Sequence, residues 1–354
     1  MSLKIKSVSA ELVQLGLTKP YTISYKTIDS VDHVFVQVQA ENGMTGYGSS
    51  NVSRSVVGQD NQDTIRELSE ENLSCLIGQD LLGFHGVIDN VFSSFRTVGA
   101  RAALDIALHD LFTKYLQIPL VDLYGRKHQS LPTSVTIGIM DEDETLREAR
   151  DFMDVGFKVL KVKLGSSFGE DVARLQKLCS DLPSSMKIRI DANCGWSVEE
   201  TLAFESVAID LDIELVEQPM AVANDSHMRS FPQNLKNIIA ADESLVGPKE
   251  ALQLAQDPAA CGIYNIKLMK CAGITPARQI AQIAQLSNID LMWGCNDESV
   301  ISIAAALHLA LACPNTKYLD LDGSFDLASD LMKGGFILQD GLLSVGDGYG
   351  LGVY

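Results

Sequence analysis

The sequence predicts an α/β protein, a parallel (β/α) barrel of TIM type joined to an N-terminal α+β capping domain. The first observation is a recurrence. From about residue 130 onward, eight short β-rich runs appear, at 134–140, 157–165, 187–193, 213–219, 238–244, 264–270, 289–295 and 318–323. Their starting points lie 23, 30, 26, 25, 26, 25 and 29 residues apart, the size of one strand-plus-helix unit. The second observation is what separates them: apolar residues at helical spacing with acids near the start, as at 141–152 and 199–208. An open doubly wound sheet alternates in the same way, but it rarely reaches eight units and usually carries a glycine-rich phosphate turn. No G-x-G-x-x-G follows any of these runs, and GDGYGLG at 346–352 opens no helix and reads as a loop.

Residues 1–130 have a different texture. KIKSVSAELVQL, HVFVQVQAENGMTGYGSS and the turn Asn42-Gly43 predict an antiparallel meander, followed by helices from about Asn61 through Tyr115. The segments 21–28 and 46–58 have loop chemistry and are expected to cover the barrel mouth. The expected division is a capping domain over 1–130, a barrel carrying the chemistry over 131–325, and a segment over 326–354 that returns to the cap.

Composition narrows the function. With 28 Lys+Arg against 46 Asp+Glu, the chain carries a formal charge of −18, which repels nucleic-acid phosphates and anionic lipid surfaces. Seven cysteines (Cys75, Cys179, Cys194, Cys261, Cys271, Cys295 and Cys313) are scattered without a Cys-x-x-Cys pair, the pattern of a reduced, cytoplasmic protein. The N-terminus alternates apolar and polar residues and does not read as a signal peptide. The uncharged stretch 299–316 is interrupted by His308 and Pro314 and reads as a buried helix. No nucleic-acid or membrane partner is expected, and a homo-oligomer is left open.

Chemistry in a parallel barrel collects at the C-terminal ends of the strands. The runs end on Lys161 and Lys163 (second), Asp191 and Asn193 (third), Glu217 (fourth), Asp242 and Glu243 (fifth), Lys267 (sixth), Cys295 and Asp297 (seventh), and Asp320 and Asp322 (eighth). Asp191, Glu217 and Asp242 come from neighbouring runs. Three oxygen donors on one arc suit a hard divalent cation, Mg²⁺ more than zinc, although a single strand-end acid also serves as a helix cap or a lysine partner. Lys161 and Lys163 share a face of an otherwise apolar run, where a lysine is costly unless paired or functional. The second and sixth strands of eight stand across the mouth from each other. Lys163 and Lys267 can therefore address opposite faces of one substrate, provided desolvation and neighbouring cations such as Lys161 lower their pKa. Alternatively they are counter-ions to the acids.

Taken together, K-x-K (161–163), D-A-N (191–193), E-Q-P (217–219), A-D-E-S (241–244) and N-I-K-L-M-K-C-x-G (265–273) resemble the enolase superfamily, muconate-lactonising subgroup, over the whole chain. The resemblance implies one Mg²⁺ per subunit on Asp191, Glu217 and Asp242, with Lys163 and Lys267 as acid/base lysines assisted by Lys161. The family's chemistry is removal of a proton α to a carboxylate, through an enediolate. That alone leaves epimerisation, muconate-type cycloisomerisation and o-succinylbenzoate synthesis open. L-D-L-D-G (319–323) separates them: Asp320 and Asp322 share parity, face the mouth opposite the acid arc, and suit a substrate ammonium. This D-x-D resembles the signature of the dipeptide epimerases, which hold a dipeptide's amine there. The resemblance thus implies an isomerase inverting the α-carbon of a dipeptide's C-terminal residue, with L-Ala-L/D-Glu as default substrate. A non-catalytic ligand-binding barrel is the reading from a different class.

Side-chain preference is ambiguous. Lys26 falls where Ala-Glu epimerases carry an arginine, favouring an acidic residue, but it reads equally as a solvated loop lysine. Thr136 falls on a substrate-contacting threonine. Cys295-Asn296-Asp297-Glu298 departs from the group's Ser-Met-Ile-Glu pattern, and Asp297 admits a neutral or cationic side chain. His308 reads as a core residue, Trp196 and Trp293 as core or wall, and Cys295 lacks an evident histidine to make it a nucleophile.

Overall fold

The computed structural model describes residues 2–354 except Ser24, Tyr25 and Ser166, without the side chains of 20–28. An antiparallel sheet of β1 (Ile5–Ile23), β2 (Lys26–Ala40) and β3 (Thr45–Ser50) opens the chain. A short strand β4 (Leu131–Pro132) precedes the barrel strands β5 (Val135–Ile137), β6 (Val159–Lys163), β7 (Lys187–Asp191) and β8 (Ile213–Glu217). The barrel continues through β9 (Ile239–Ala241), β10 (Ile263–Ile266), β11 (Asp290–Gly294) and β12 (Thr316–Asp320). Among the described residues these eight form one parallel sheet in sequence order, β5 to β12. Ser134 N–H donates to the Leu319 carbonyl (2.9 Å), bringing the two edges of that sheet together so that the barrel nearly closes. The eight runs are the eight strands, as expected. β13 (Phe336–Gln339) then pairs antiparallel with β14 (Leu342–Val345), which pairs antiparallel with β4.

Two expectations about loops are corrected. Residues 21–23 and 26–28 continue the β1–β2 ladder, with Tyr21 opposite Ile28 and Ile23 opposite Lys26, so they extend a long hairpin. Residues 45–50 are β3, and its glycines serve packing. A Cβ on Gly48 would lie 1.9 Å from the Ala103 carbonyl oxygen, and one on Gly46 would lie 2.2 Å from that of Ala107. Bare backbone lets helix Val98–Leu116 lie directly on the sheet. A run read as turn chemistry is thus a close-packed strand, followed by a short helix Arg54–Val57.

Layering inside the barrel follows strand parity. Leu215, Ala240, Ile263 and Met292, with Tyr318 against them, form a small closed cluster. One pleat further along the same faces come Glu217, Asp242, Asn265, Gly294 and Asp320. The polar layer therefore rests on an apolar plug. Helices around the outside supply the large core, including Ile301, Leu307, Leu309 and Leu311 of helix Val300–Ala312, which is buried from Ile301 onward.

Candidate functional site

Register places the chemistry before any side chain is considered. Lys163 pairs with Asp191 across β6–β7, and Asp191 with Glu217 across β7–β8. Asp242 follows β9 directly, and Lys267 sits one residue past β10, at the N-terminal edge of the turn of helix Leu268–Cys271. Lys161, Lys163, Asp191, Glu217, Asp242 and Lys267 thus meet in one layer, joined by Asp320 from β12.

Lys161 is the hub. It is 2% exposed, and its Nζ lies 2.6 Å from Glu217 Oε2, 2.8 Å from Asp320 Oδ2 and 3.4 Å from Asp191 Oδ2. Burial favours losing its proton, but the charges of Asp320, Glu217 and Asp191 hold its pKa well above the usual lysine value. Lys163 donates to Asp191 Oδ2 at 2.7 Å and keeps about a third of its side chain open to the mouth. Lys267 donates to Asp242 Oδ2 at 2.9 Å, with Glu217 Oε1 at 3.8 Å. The two lysines therefore stand at opposite ends of the acid arc. The expectation of lowered pKa is corrected for Lys267: burial acts downward, but Asp242 and Glu217 outweigh it and raise the value.

The acids are unequal. Burial and the adjacent Asp191 push Glu217 up. Asp191, despite burial, is held down at about 2 by Lys163 and Lys161, and Asp242 is held lower still by Lys267 and Lys270. Glu217 Oε2 is buried and accepts no hydrogen bond, since Lys161 lies near it but off the bonding direction. Among the described residues no three acids or histidines are gathered into a ready cage, because ammoniums stand between them. A hard cation fits the chemistry of this donor set: carboxylate oxygens from the ends of three adjacent strands, of which Glu217 Oε2 is buried and accepts no hydrogen bond.

Other side chains escaped sequence reasoning. Lys270, 4% exposed, points back onto the Asp242 carboxylate and donates to the Asp242 carbonyl (2.6 Å) and to the Asn265 carbonyl (3.2 Å). Asn265 Nδ2 donates to Glu217 Oε1 (2.9 Å). Gln218 Oε1 accepts the Asp242 and Ser244 N–H groups (3.0 and 3.2 Å), orienting the loop after β9. The one available signal was N-I-K-L-M-K itself, where a helical turn after the strand brings Lys270 back beneath Lys267.

Across the mouth, Asp320 is committed inward, accepting from Lys161 and from Ser134 Oγ (2.7 Å). Asp322 Oδ2 accepts the Thr136 N–H (2.7 Å), so Thr136 contributes its backbone there. Burial and the charge of Asp320 push Asp322 up to about 7, the mark of a carboxylate short of positive charge. Cys295 Sγ accepts the Gly323 N–H (3.3 Å) and donates to the Asp320 carbonyl (3.2 Å), bracing the ends of β11 and β12. Burial pushes its thiol well up, so it is no nucleophile. Asp297 lies at the rim, its carbonyl accepting from Nδ2 of Asn51, the residue after β3 of the capping sheet (2.6 Å). Near it, the solvent-open Asp326 is pushed up to about 6 by partial loss of hydration and by the charges of Asp297 and Glu148. Lys26 occupies the hairpin tip, and its side chain lies outside the described residues. His308 is buried, its Nδ1 accepting the Val121 N–H (3.0 Å).

Known proteins resemble this chain in sequence and fold. Residues 7–125 match the family described as mandelate racemase/muconate lactonizing enzyme, N-terminal domain, and residues 144–354 match enolase C-terminal domain-like. The chain is 46% identical to the L-Lys-D/L-Arg epimerase of Methylococcus capsulatus over 99% of both chains. It is 31% identical to the L-Ala-D/L-Glu epimerase of Clostridium acetobutylicum over 99% of this chain and 98% of that one. A crystal structure of the dipeptide epimerase from Methylococcus capsulatus complexed with Mg and the dipeptide L-Arg-D-Lys superposes with a TM-score of 0.96, at 46% identity over 99% of each chain. The chain belongs to the mandelate racemase/muconate lactonizing enzyme family of the enolase superfamily.

Proposed function

We propose that this protein is a Mg²⁺-dependent dipeptide epimerase that inverts the α-carbon of the C-terminal residue by a two-base 1,1-proton transfer. One observation carries the reading: Lys163 and Lys267 stand at the two ends of a single arc of three carboxylates. Asp191, Glu217 and Asp242 would hold the metal. When bound, Mg²⁺ supplies positive charge against the negative charge that grows on the substrate carboxylate as the α-proton leaves. Lys163 and Lys267 then work from opposite faces, the neutral one removing the α-proton and the charged one returning a proton from the other side. Lys161, fixed among Glu217, Asp191 and Asp320, supplies a permanent charge and no proton. Asp322, short of positive charge, receives the dipeptide ammonium, with Asp320 behind it. The division into a cap over 1–130, a barrel over 131–325 and a returning segment over 326–354 belongs to the same proposal.

For the side chain, the rim favours cations. Asp297 and Asp326 bring carboxylates together near the mouth, while Glu148 beside Asp326 is paired with Lys19 (3.3 Å); a lysine or arginine side chain of the substrate suits this acidic rim better than a glutamate. Relatives at 46% and 45% identity are L-Lys-D/L-Arg epimerases. The substrate class proposed is therefore a dipeptide with basic residues, in preference to L-Ala-L/D-Glu. The test is solvent deuterium entering the C-terminal α-carbon of L-Lys-L-Arg and of L-Ala-L-Glu in the presence of Mg²⁺. Exchange with the basic dipeptide at the higher kcat/KM supports both parts. The reverse preference overturns the substrate class alone, and no exchange with any dipeptide of a broad panel overturns the reaction.

A further inference from the structure

A second pocket lies at the opposite end of the barrel from the proposed active site, near the N-terminal ends of β11 and β12. Its volume is about 190 Å³, and Tyr124, Lys127, Arg278, Gln282, Cys313 and Asn315 are among the residues that line it. No acid does. In a chain with 46 acids and 28 basic residues, a pocket lined by two cations and no carboxylate runs against the overall composition. Among the described residues neither Lys127 nor Arg278 forms an ion pair, and Asp290, at the start of β11, is already paired with Lys317 (2.7 Å).

The arginine is also held in place. Its guanidinium lies 3.9 Å from the centre of the Tyr124 ring. The Tyr124 hydroxyl is bonded to His109 Nε2 (2.6 Å), and His109 Nδ1 lies 2.7 Å from the Asp105 carbonyl oxygen and 3.1 Å from its Oδ1. Asp105 in turn accepts the N–H and hydroxyl of Thr275 (both 2.8 Å), in the first turn of Ile274–Leu286, the helix that carries Arg278. The chain of contacts closes on itself and fixes where the guanidinium stands, so little side-chain entropy is lost when it binds a partner.

We propose that this pocket is a binding site for a small oxyanion, a phosphate or carboxylate group received by Arg278 and Lys127, with Gln282 as a further donor; the Asn315 amide already donates to the Ile289 carbonyl (2.8 Å). Isothermal titration of the full-length protein with inorganic phosphate, succinate and acetate, with chloride as the ionic-strength control, tests it and separates phosphate from carboxylate. Saturable binding of at least one oxyanion is expected, weakened about tenfold or more in Lys127→Gln and in Arg278→Gln, as loss of a charge-assisted bond implies. Lys127 is exposed, so its variant keeps the test valid if Arg278→Gln fails to fold. No saturable binding by the wild type, or equal affinity in a folded variant, overturns the proposal and leaves Arg278 as the cover of Tyr124.

Discussion

Lys161 contacts three carboxylates from three strands and has no room to serve as a base. Its removal as Lys161→Met leaves Glu217, Asp191 and Asp320 buried without their shared cation, which costs about 3–5 kcal/mol. The expected outcome is a lower Tm, partly restored by Mg²⁺, measured by calorimetry with and without the metal. Lys163 and Lys267 touch the arc at one end each, so their substitutions should differ in direction. Lys163→Ala and Lys267→Ala should each suppress deuterium exchange by about 10²–10⁴-fold for the epimer whose proton that lysine removes. Equal loss for both epimers in both variants would contradict the assignment of one base to each face. Asp322→Asn should raise KM for a dipeptide with a free amine far more than for its N-acetylated form, read from steady-state kinetics on the pair. These roles were partly legible beforehand, because strand parity and strand order are local properties. Lys270 was not, since its aim at Asp242 depends on a helical turn that begins one residue after β10.

At the scale of elements, β3 shows why glycine is an ambiguous letter. Gly46 and Gly48 signalled a loop, but they stand where a helix backbone touches a strand, and sequence alone does not distinguish turning from close approach. Gly48→Ala forces a Cβ into the Ala103 carbonyl and should destabilise the protein by about 1–3 kcal/mol. A lower urea midpoint at unchanged m-value would show this, and an unchanged midpoint would mean that helix Val98–Leu116 can lift at no cost. The hairpin β1–β2 is hard to read at its tip for a different reason: Pro20 and the polar TISYKT read as loop, while Tyr21, Thr22 and Ile23 pair with Ile28, Thr27 and Lys26 as the continuation of a ladder already set by the pairing of residues 5–16 with 30–40. The barrel strands were legible because each is a buried apolar run with a polar end, and their spacing repeats.

Across the whole molecule, two buried histidines tie stability to pH. His308 accepts a backbone N–H, and burial lowers its pKa to about 3; His33 accepts the Ser299 N–H and is lowered as well. Between the ordinary value of 6.5 and about 3, the unfolded chain binds the His308 proton and the folded chain does not. Stability from this group is thus complete above pH 6.5 and is lost as pH falls toward 3. Replacing His308 with Gln, which keeps an acceptor for Val121, should flatten that part of the Tm-versus-pH curve relative to wild type. His33 and Asn51 also join the capping sheet to the loop after β11, so the cap and the mouth of the barrel share hydrogen bonds. The charge of −18 acquires a local meaning here, because part of it is concentrated at the mouth as Asp297, Asp322 and Asp326.

The order of residues along the chain was enough to set the barrel, the strand that bears each acid or lysine, and the face to which each points. Those follow from a two-residue pleat and a repeat of about 26 residues, both of which are local. Which carboxylate meets which ammonium, that Lys161 is locked while Lys163 remains open, and that Gly48 packs when it might have turned were settled only by tertiary structure. Each depends on distances between segments far apart in sequence, on burial, and on the balance of charges that burial strengthens.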